Sequence, residues 1–520
     1  MSLLSSSSLS AAAFKMRSPR SDHPEGGVSA HTPESSPALE RGSAEEGVAY
    51  FRDFGVDESL FRAAFDAALS RGGDWADLYF EHGVSQSISL KDHRVDSAYT
   101  GVSLGVGVRV ISGDQQGYAY TEDLSRDAVV RAASSAALIA ESASAAKRYE
   151  GQGFQVSSRP NRYPIQREWM KVDVAEKIPL LTQLDEQVMA KDSRLTKVNI
   201  GMGHSTSAVL IVESSGAIHF DRLPMTRLNL SCTVEDGDQR ESNGYNLAGR
   251  EGFEFLTEER LDKLRDEAVQ RTLFLLDAEQ APAGSMPVVL GAGASGILLH
   301  EAIGHGMEAD FNRKGISVYS DRLNTRIAPK GITIVDDGTR DHDRGAINID
   351  DEGVEGQRTV LVEDGILRSY MHDRVSAAHY GVEPTGNGRR ESFRHAPVPR
   401  MRSTYMCAGE HDPEEIIKSV KRGVYAETFT NGQVMIGAGD FTFYIKTGYL
   451  IEDGKLTRPI KDTNIIGNGP EVLERTDMVG TDFKYDEGGW VCGKDGQSVP
   501  VSLGMPTVRV SEMTVGGVNA

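Results

Sequence analysis

The run His300-Glu301-Ala302-Ile303-Gly304-His305 places two imidazoles and a carboxylate within six residues of a segment that reads as helix. Histidine nitrogens are ordinary zinc ligands. A glutamate beside the first of them is placed to take a proton from water activated by the ion, as in HExxH zinc peptidases. Here the spacing is HExxxH, one residue longer. At about 100° per residue, positions four apart on a regular helix differ by about 40° and positions five apart by about 140°. Two histidines so spaced cannot meet one ion on a regular helix. The sequence therefore predicts an irregular turn over 302–305, a π-bulge or local unwinding, whose cost Gly304 lowers. With that distortion both imidazoles reach a Zn2+ ion at about 2.0–2.1 Å, and Glu301 serves as general base.

A catalytic zinc commonly takes three protein ligands and a water, so a third ligand must come from elsewhere. Cys492 is the best candidate. It lies in Gly488-Gly489-Trp490-Val491-Cys492-Gly493-Lys494-Asp495-Gly496, read as a Gly-rich loop that lets backbone approach a site closely. The metal would stabilise its thiolate, with help from Lys494. Glu308, three residues after His305, is a rival because carboxylate is also a normal zinc donor. Otherwise it supports a ligand from behind or forms a salt bridge.

The elements that must position these groups suggest an α+β protein. Residues 1–45, crowded with Ser, Ala, Pro and Gly, read as a disordered extension. An N-terminal α+β domain is expected over 46–155. It has a helix from Asp57 to Gly72-Gly73, a β-meander over 74–121 and an Ala-rich helix over 127–145. A linker with Gly151, Gly153, Pro160 and Pro164 leads to a central α+β domain over 156–282. This has a helix near 172–191, short strands at 208–212 and 217–220 around Glu213-Ser214-Ser215-Gly216, and a charged helix over 257–276. A C-terminal domain over 283–520 opens with the strand Val288 to Leu290. It then passes through Gly291-Ala292-Gly293 into the site helix and continues as mostly antiparallel β, with Asp337-Gly338, Asp364-Gly365, Asn431-Gly432 and Asp453-Gly454 as hairpin turns. Segregated strands and helices argue against a doubly wound parallel sheet.

Four stretches carry a resemblance to a known family: HEAIGHGMEADFNRKG at 300–315, NGRRESFRHAPVPRMRSTYM at 387–406, NGQVMIGAGDFTF at 431–443 and VCGKDGQSVPVSLGMPTVRV at 491–510. The chain resembles the TldD branch of the TldD/PmbA metallopeptidases. The resemblance implies an active subunit whose zinc, one per chain, is held by His300, His305 and Cys492. It also implies pairing with a PmbA/TldE-like subunit and a chamber admitting unfolded peptides. An extended substrate adding a strand to a sheet edge would be bound through its main chain, with low side-chain selectivity. The competing reading is a peptide-binding regulatory subunit with a vestigial metal site, which binds without turnover.

Other residues are weighed against blander roles. Arg389, Arg390, Arg394 and His395 could steady a substrate carbonyl or carboxylate, with Arg390 and His395 the named candidates, or could form structural salt bridges. Asp336-Asp337, Asp341-His342-Asp343 and Asp350-Asp351-Glu352 lack EF-hand spacing and read as solvated loops. Cys232 and Cys407 fall in strand-like runs and read as core, and three widely spaced cysteines fit a reducing compartment. With 56 Lys plus Arg against 76 Asp plus Glu, the net charge of −20 disfavours a nucleic-acid partner. No stretch supplies the roughly 18 apolar residues of a membrane span, Gly284 to Leu299 being too rich in Gly and Ala. Met1 to Ser21 lacks acidic residues and faintly resembles a transit peptide, but the expected location is cytoplasmic.

Overall fold

The computed structural model describes residues 2–3, 44–140, 153–157 and 160–516. It is α+β, as the segregation of elements suggests. Helix Glu58–Ala68 starts where Asp57 accepts a hydrogen bond from the Leu60 N–H at 3.0 Å, and it buries Leu60, Phe61, Ala64, Phe65 and Ala68 along one face. The meander follows as the antiparallel strands Trp75–Lys91, Arg94–Ser112 and Gln115–Thr121. The Ala-rich helix is Arg126–Ile139; residues 141–145 of its expected range, and Gly151 of the linker, lie outside the described residues. Helices Ala44–Arg52, Glu58–Ala68 and Arg126–Ile139 cover this end of the sheet.

The sheet does not stop at the linker. Strand 75–91 pairs antiparallel with Leu195–Glu213 from Asp77 opposite Glu213 to Lys91 opposite Asn199. Strands Ala217–Asp236 and Gln239–Gly249 extend the same seven-stranded sheet. The short strands read at 208–212 and 217–220 are the ends of strands of 19 and 20 residues. Because side chains alternate across a strand, even-numbered Leu78, Phe80, Leu210 and Val212 face the first helices. Farther along, Ile88, Leu90, Ile200 and Met202 face helices Val174–Met189 and Glu258–Asp277. On the opposite face odd-numbered Tyr79, Val209 and Ile211 pack on Ile349 and Phe393 of the C-terminal region.

In the C-terminal region the strands Gly284–Leu290, Val508–Gly516, Lys455–Asn468, Asp440–Glu452 and Arg422–Met435 pair in that order. Strand 284–290 also pairs in parallel with 422–435, which closes a small barrel. Beside it lies a six-stranded sheet that includes Ile334–Asp337, Ser403–Met406 and Ser502–Met505. One large hydrophobic core joins the two, and the site helix runs between them. Of the expected disordered extension, residues 1 and 4–43 lie outside the described residues. Residues 44–45 open the first helix, and the Ser2–Leu3 backbone forms a strand between Gly432–Gln433 and Cys492. Among the described residues no helix is long and apolar enough to cross a membrane.

Two of the three acidic runs are not solvated loops, whereas Asp341 in the third is exposed on a turn. Asp336, Asp350 and Glu352 are buried. Asp350 accepts backbone N–H bonds from Glu352, Val354 and Gly388, and Asp336 accepts from the Arg402 N–H and the Thr404 hydroxyl. Glu352 meets the Arg109 guanidinium at 2.5 Å, and Arg109 also donates to Asp77 at 2.7 Å, with no exposed surface on any of the three side chains. This ion group pins the N-terminal sheet to the C-terminal region. A buried charge left without its partner costs about 3–5 kcal/mol, so the group holds the two together only as a complete set.

Candidate metal centre

Strand 284–290 delivers the chain to Gly293, whose φ of +91° turns it into the helical segment beginning at Gly296. One regular turn, Gly296–Leu299, is followed by a π-helical stretch, His300–Gly304, and then a 3-10 turn, His305–Met307. The irregular turn expected at 302–305 is therefore present and starts two residues earlier. The His305 N–H bonds the His300 carbonyl, the five-residue step of a π-turn, which stacks the two histidines on one face. Their rings lie 5.1 Å apart and nearly perpendicular. Gly304 has a further role: a Cβ there would stand 2.2 Å from the Met401 sulfur.

Cys492 arrives from the other side. The stretch read as a Gly-rich loop is a hairpin of strands Val491–Lys494 and Gln497–Pro500, turned by Asp495 and Gly496, both at positive φ. The Cys492 Sγ lies 3.4 Å from the His305 Nε2, and the donor atoms of His300, His305 and Cys492 are all within 4.8 Å of one another. Tetrahedral zinc bonds of about 2.0–2.3 Å put neighbouring donors about 3.3–3.6 Å apart, so the His305–Cys492 spacing fits that ion. Neither ring nitrogen of His300 has a hydrogen-bond partner although the side chain is buried, the state of a donor reserved for an ion. Glu301, also buried, directly follows His300 on the π-turn.

The surrounding charges favour the ligand form of Cys492 and gather negative charge around His305. Burial alone would raise the Cys492 thiol, but Arg400 and the two histidines hold it well below its ordinary value. The thiolate is the form that binds metal. Arg400 also donates from Nη2 to the Cys492 carbonyl at 2.5 Å. Burial would lower the His305 ring, but Cys492 and Glu308 raise it well above its usual range, a measure of the negative charge gathered where a dication would sit.

Glu308 is not the third ligand. Its carboxylate lies 3.0 Å from Nδ1 of His305, so the imidazole donates there and turns Nε2 toward Cys492. Burial would raise Glu308, yet Lys494 and His305 bring it down to about 2. Lys494, expected to assist the Cys492 thiolate, instead donates to Asp310 at 2.6 Å and meets Glu308 at 3.1 Å. Arg400 takes the part expected of Lys494, and the sequence reading did not single it out.

The remaining candidates lie elsewhere. Arg390 is buried between the two halves of the protein, donating to the Asp351 carbonyl at 2.8 Å with its guanidinium over the Tyr79 ring. His395 is half-buried beside Ser392. Arg389 donates to the Met401 and Pro500 carbonyls, and Arg394 pairs with Glu122 at 2.7 Å. Cys232 sits in the core against helix 258–277, and burial pushes its thiol up to about 11. Cys407, expected in the core, is half-buried near Arg358.

Three family domains match along the chain: PmbA/TldA metallopeptidase domain 1 over 76–140, the central domain over 168–276 and the C-terminal domain over 283–517. The chain is 41% identical to a metalloprotease TldD homolog of Haemophilus influenzae over 460 residues, 88% of this chain and 95% of that protein. It is 37% identical to a zinc metalloprotease TldD homolog of Saccharolobus solfataricus over 249 residues, 48% of this chain and 55% of that protein. The crystal structure of TldE from Thermococcus kodakarensis shares the fold, with a TM-score of 0.71 at 19% identity, covering 88% of this chain and 99% of that one. With the His300, His305 and Cys492 donors brought together on the π-turn and hairpin, and with a relative matching over 88% of its length, the chain belongs to the PmbA/TldD metallopeptidase family.

Proposed function

We propose that this metalloprotease is a zinc-dependent peptidase that hydrolyses unfolded or extended peptides, with Glu301 as general base. The observation that carries the reading is the π-turn that stacks His300 and His305 opposite Cys492 and places Glu301 beside them. A set of two imidazoles and one thiolate suits zinc, and the ion is named for a relative that covers about half of this chain. When bound, zinc supplies a Lewis acid that brings water within reach of deprotonation near neutral pH.

This chain's own groups supply the rest. Glu301 accepts the proton of the attacking water and returns it to the leaving amine. Glu308 holds the Nδ1 proton of His305, and Arg400 keeps Cys492 a thiolate. An extended substrate is accommodated between Gly432–Gln433 and Cys492, where the Ser2–Leu3 backbone already pairs with both sides as a strand. Main-chain pairing explains a preference for unfolded chains over folded ones. A PmbA/TldE-like subunit is the proposed partner, completing the chamber around this groove.

The test is metal content and cleavage of an unfolded peptide by wild type and Glu301→Gln, each alone and with such a partner subunit. About one zinc per chain, with cleavage abolished in the zinc-loaded variant, is the expected result. Cleavage surviving in Glu301→Gln removes the assigned base. Zinc without turnover by wild type in either arrangement favours the peptide-binding regulator instead.

A further inference from the structure

A recess of about 260 Å³ opens on the sheet face opposite the helices, lined by Ser85, Ser87 and Ser205 of the long strands together with Arg227 and Arg344. No acidic side chain lines it, although the chain carries a net charge of −20. Arg344 is buried to 6% exposure, and its Nε donates to the Trp490 carbonyl at 3.0 Å. Arg227 packs against Gly489, where a Cβ would stand 2.6 Å from its Nε. Arg250, behind them, donates to the Pro224 carbonyl at 3.3 Å.

Neither Arg250 nor Arg344 forms an ion pair with a carboxylate among the described residues. The acid nearest Arg344 in sequence, Asp343, is engaged by Arg340 at 2.8 Å and by the Ser403 hydroxyl at 2.5 Å. Burial, reinforced by Arg227 and Arg250 and opposed by Asp343, brings the Arg344 guanidinium down to about 9. Guanidinium forks suit carboxylates, and hydroxyls beside them complete such a site.

The position gives the recess its meaning. Trp490, which holds Arg344, is two residues from Cys492, and two extended residues span about 7 Å. We infer that Arg227 and Arg344 form a carboxylate anchor for the peptide substrate, by preference its C-terminal carboxylate, setting the scissile bond a few residues from that end. The inference rests on the peptidase reading and adds to it that the enzyme trims from the C-terminus.

The test is equilibrium binding to the zinc-loaded, full-length Glu301→Gln chain, which does not depend on turnover. The probes are one fluorescent unfolded decapeptide free of Asp and Glu, as free acid and as C-terminal amide, and the amide with one Asp near its end. The free acid should bind roughly tenfold more tightly than the amide. That preference should vanish in Arg344→Met, shrink in the less buried Arg227→Met, and survive in Arg344→Lys. The Asp-bearing amide distinguishes the sources: affinity near the plain amide assigns the anchor to the chain terminus, and affinity near the free acid assigns it to carboxylates in general. Equal binding of acid and amide by the parent chain, or a preference that persists in both Met variants, overturns the anchor and leaves the peptidase reading intact. Failure of every peptide to bind overturns both.

Discussion

The hydrogen bond from His305 to Glu308 makes a quantitative claim about zinc affinity. Glu308 is completely buried and touches His305 at 3.0 Å, Lys494 at 3.1 Å and Arg400 at 4.0 Å. It fixes the ring so that Nε2 faces Cys492, and its charge makes that nitrogen a stronger donor. Removing such a partner lowers metal affinity about 10–100-fold, or about 1.4–2.7 kcal/mol. Two features divide that range. Gln keeps an acceptor for the Nδ1 proton and loses only the charge, while Lys494 and Arg400 already share the carboxylate, so Glu308→Gln should fall near the tenfold end. Ala loses the orienting bond as well and leaves Lys494 with Asp310 as its remaining carboxylate partner, so Glu308→Ala should approach 100-fold. Competition for zinc against a chromophoric chelator at pH 7.5 measures both. Affinities within twofold of wild type for the two variants refute the reasoning, because the ring would then be oriented by its packing alone. Equal, large losses in both would show that charge, not orientation, is what Glu308 contributes.

Gly304→Ala should overpack the turn, since its Cβ would stand 2.2 Å from the Met401 sulfur, and should lower stability by about 1–3 kcal/mol together with zinc content. Adding Met401→Ala should restore part of both, as read by thermal unfolding and metal analysis; no restoration would mean that the glycine serves backbone conformation instead. Asp221 tests a different link: burial pushes its carboxyl up to about 6, against the pull of hydrogen bonds from Tyr163 and Asn348. The folded value lies above the unfolded one of about 3.9, so the native state holds the proton more tightly. That contribution is complete below about pH 4 and is lost as pH rises through about 6, up to about 3 kcal/mol. Asp221→Asn should flatten this part of the stability–pH curve in denaturant titrations between pH 4 and 8, and an unchanged slope would assign it to another group.

The π-turn was legible because five-residue spacing contradicts a regular helix, so the sequence itself demanded a distortion; its start at His300 was not, since that depends on what packs around it. Cys492 was legible from its chemistry and its glycines. Arg400 was not, because its partner is 92 residues away and nothing local distinguishes it from Arg389 or Arg402. The run ending in Glu352 was misread for the same reason: its countercharge is Arg109, 243 residues earlier, and a charge run read alone defaults to solvent. The long strands were underestimated because both of their faces are in use. Positions such as His204, Ser205 and Ser207 are polar on faces that alternation expects to be either fully apolar or fully solvated.

The site is held from outside as much as from within. A π-turn departs from the preferred helical geometry and persists where its surroundings fix it. Here Gly296 packs against the backbone of Gly504, Gly304 lies under Met401, and Gly469 lies so close to the Ala302 carbonyl that a Cβ would stand 2.0 Å from it. These contacts come from the six-stranded sheet, the segment between its strands and the turn after barrel strand 455–468. The histidine spacing is therefore imposed by the docking of barrel and sheet, with Cys492 brought in by a hairpin that Arg400 ties to the same layer. It follows that mutations in the packing around the turn, without touching a ligand, should change metal affinity through the geometry of His300 and His305.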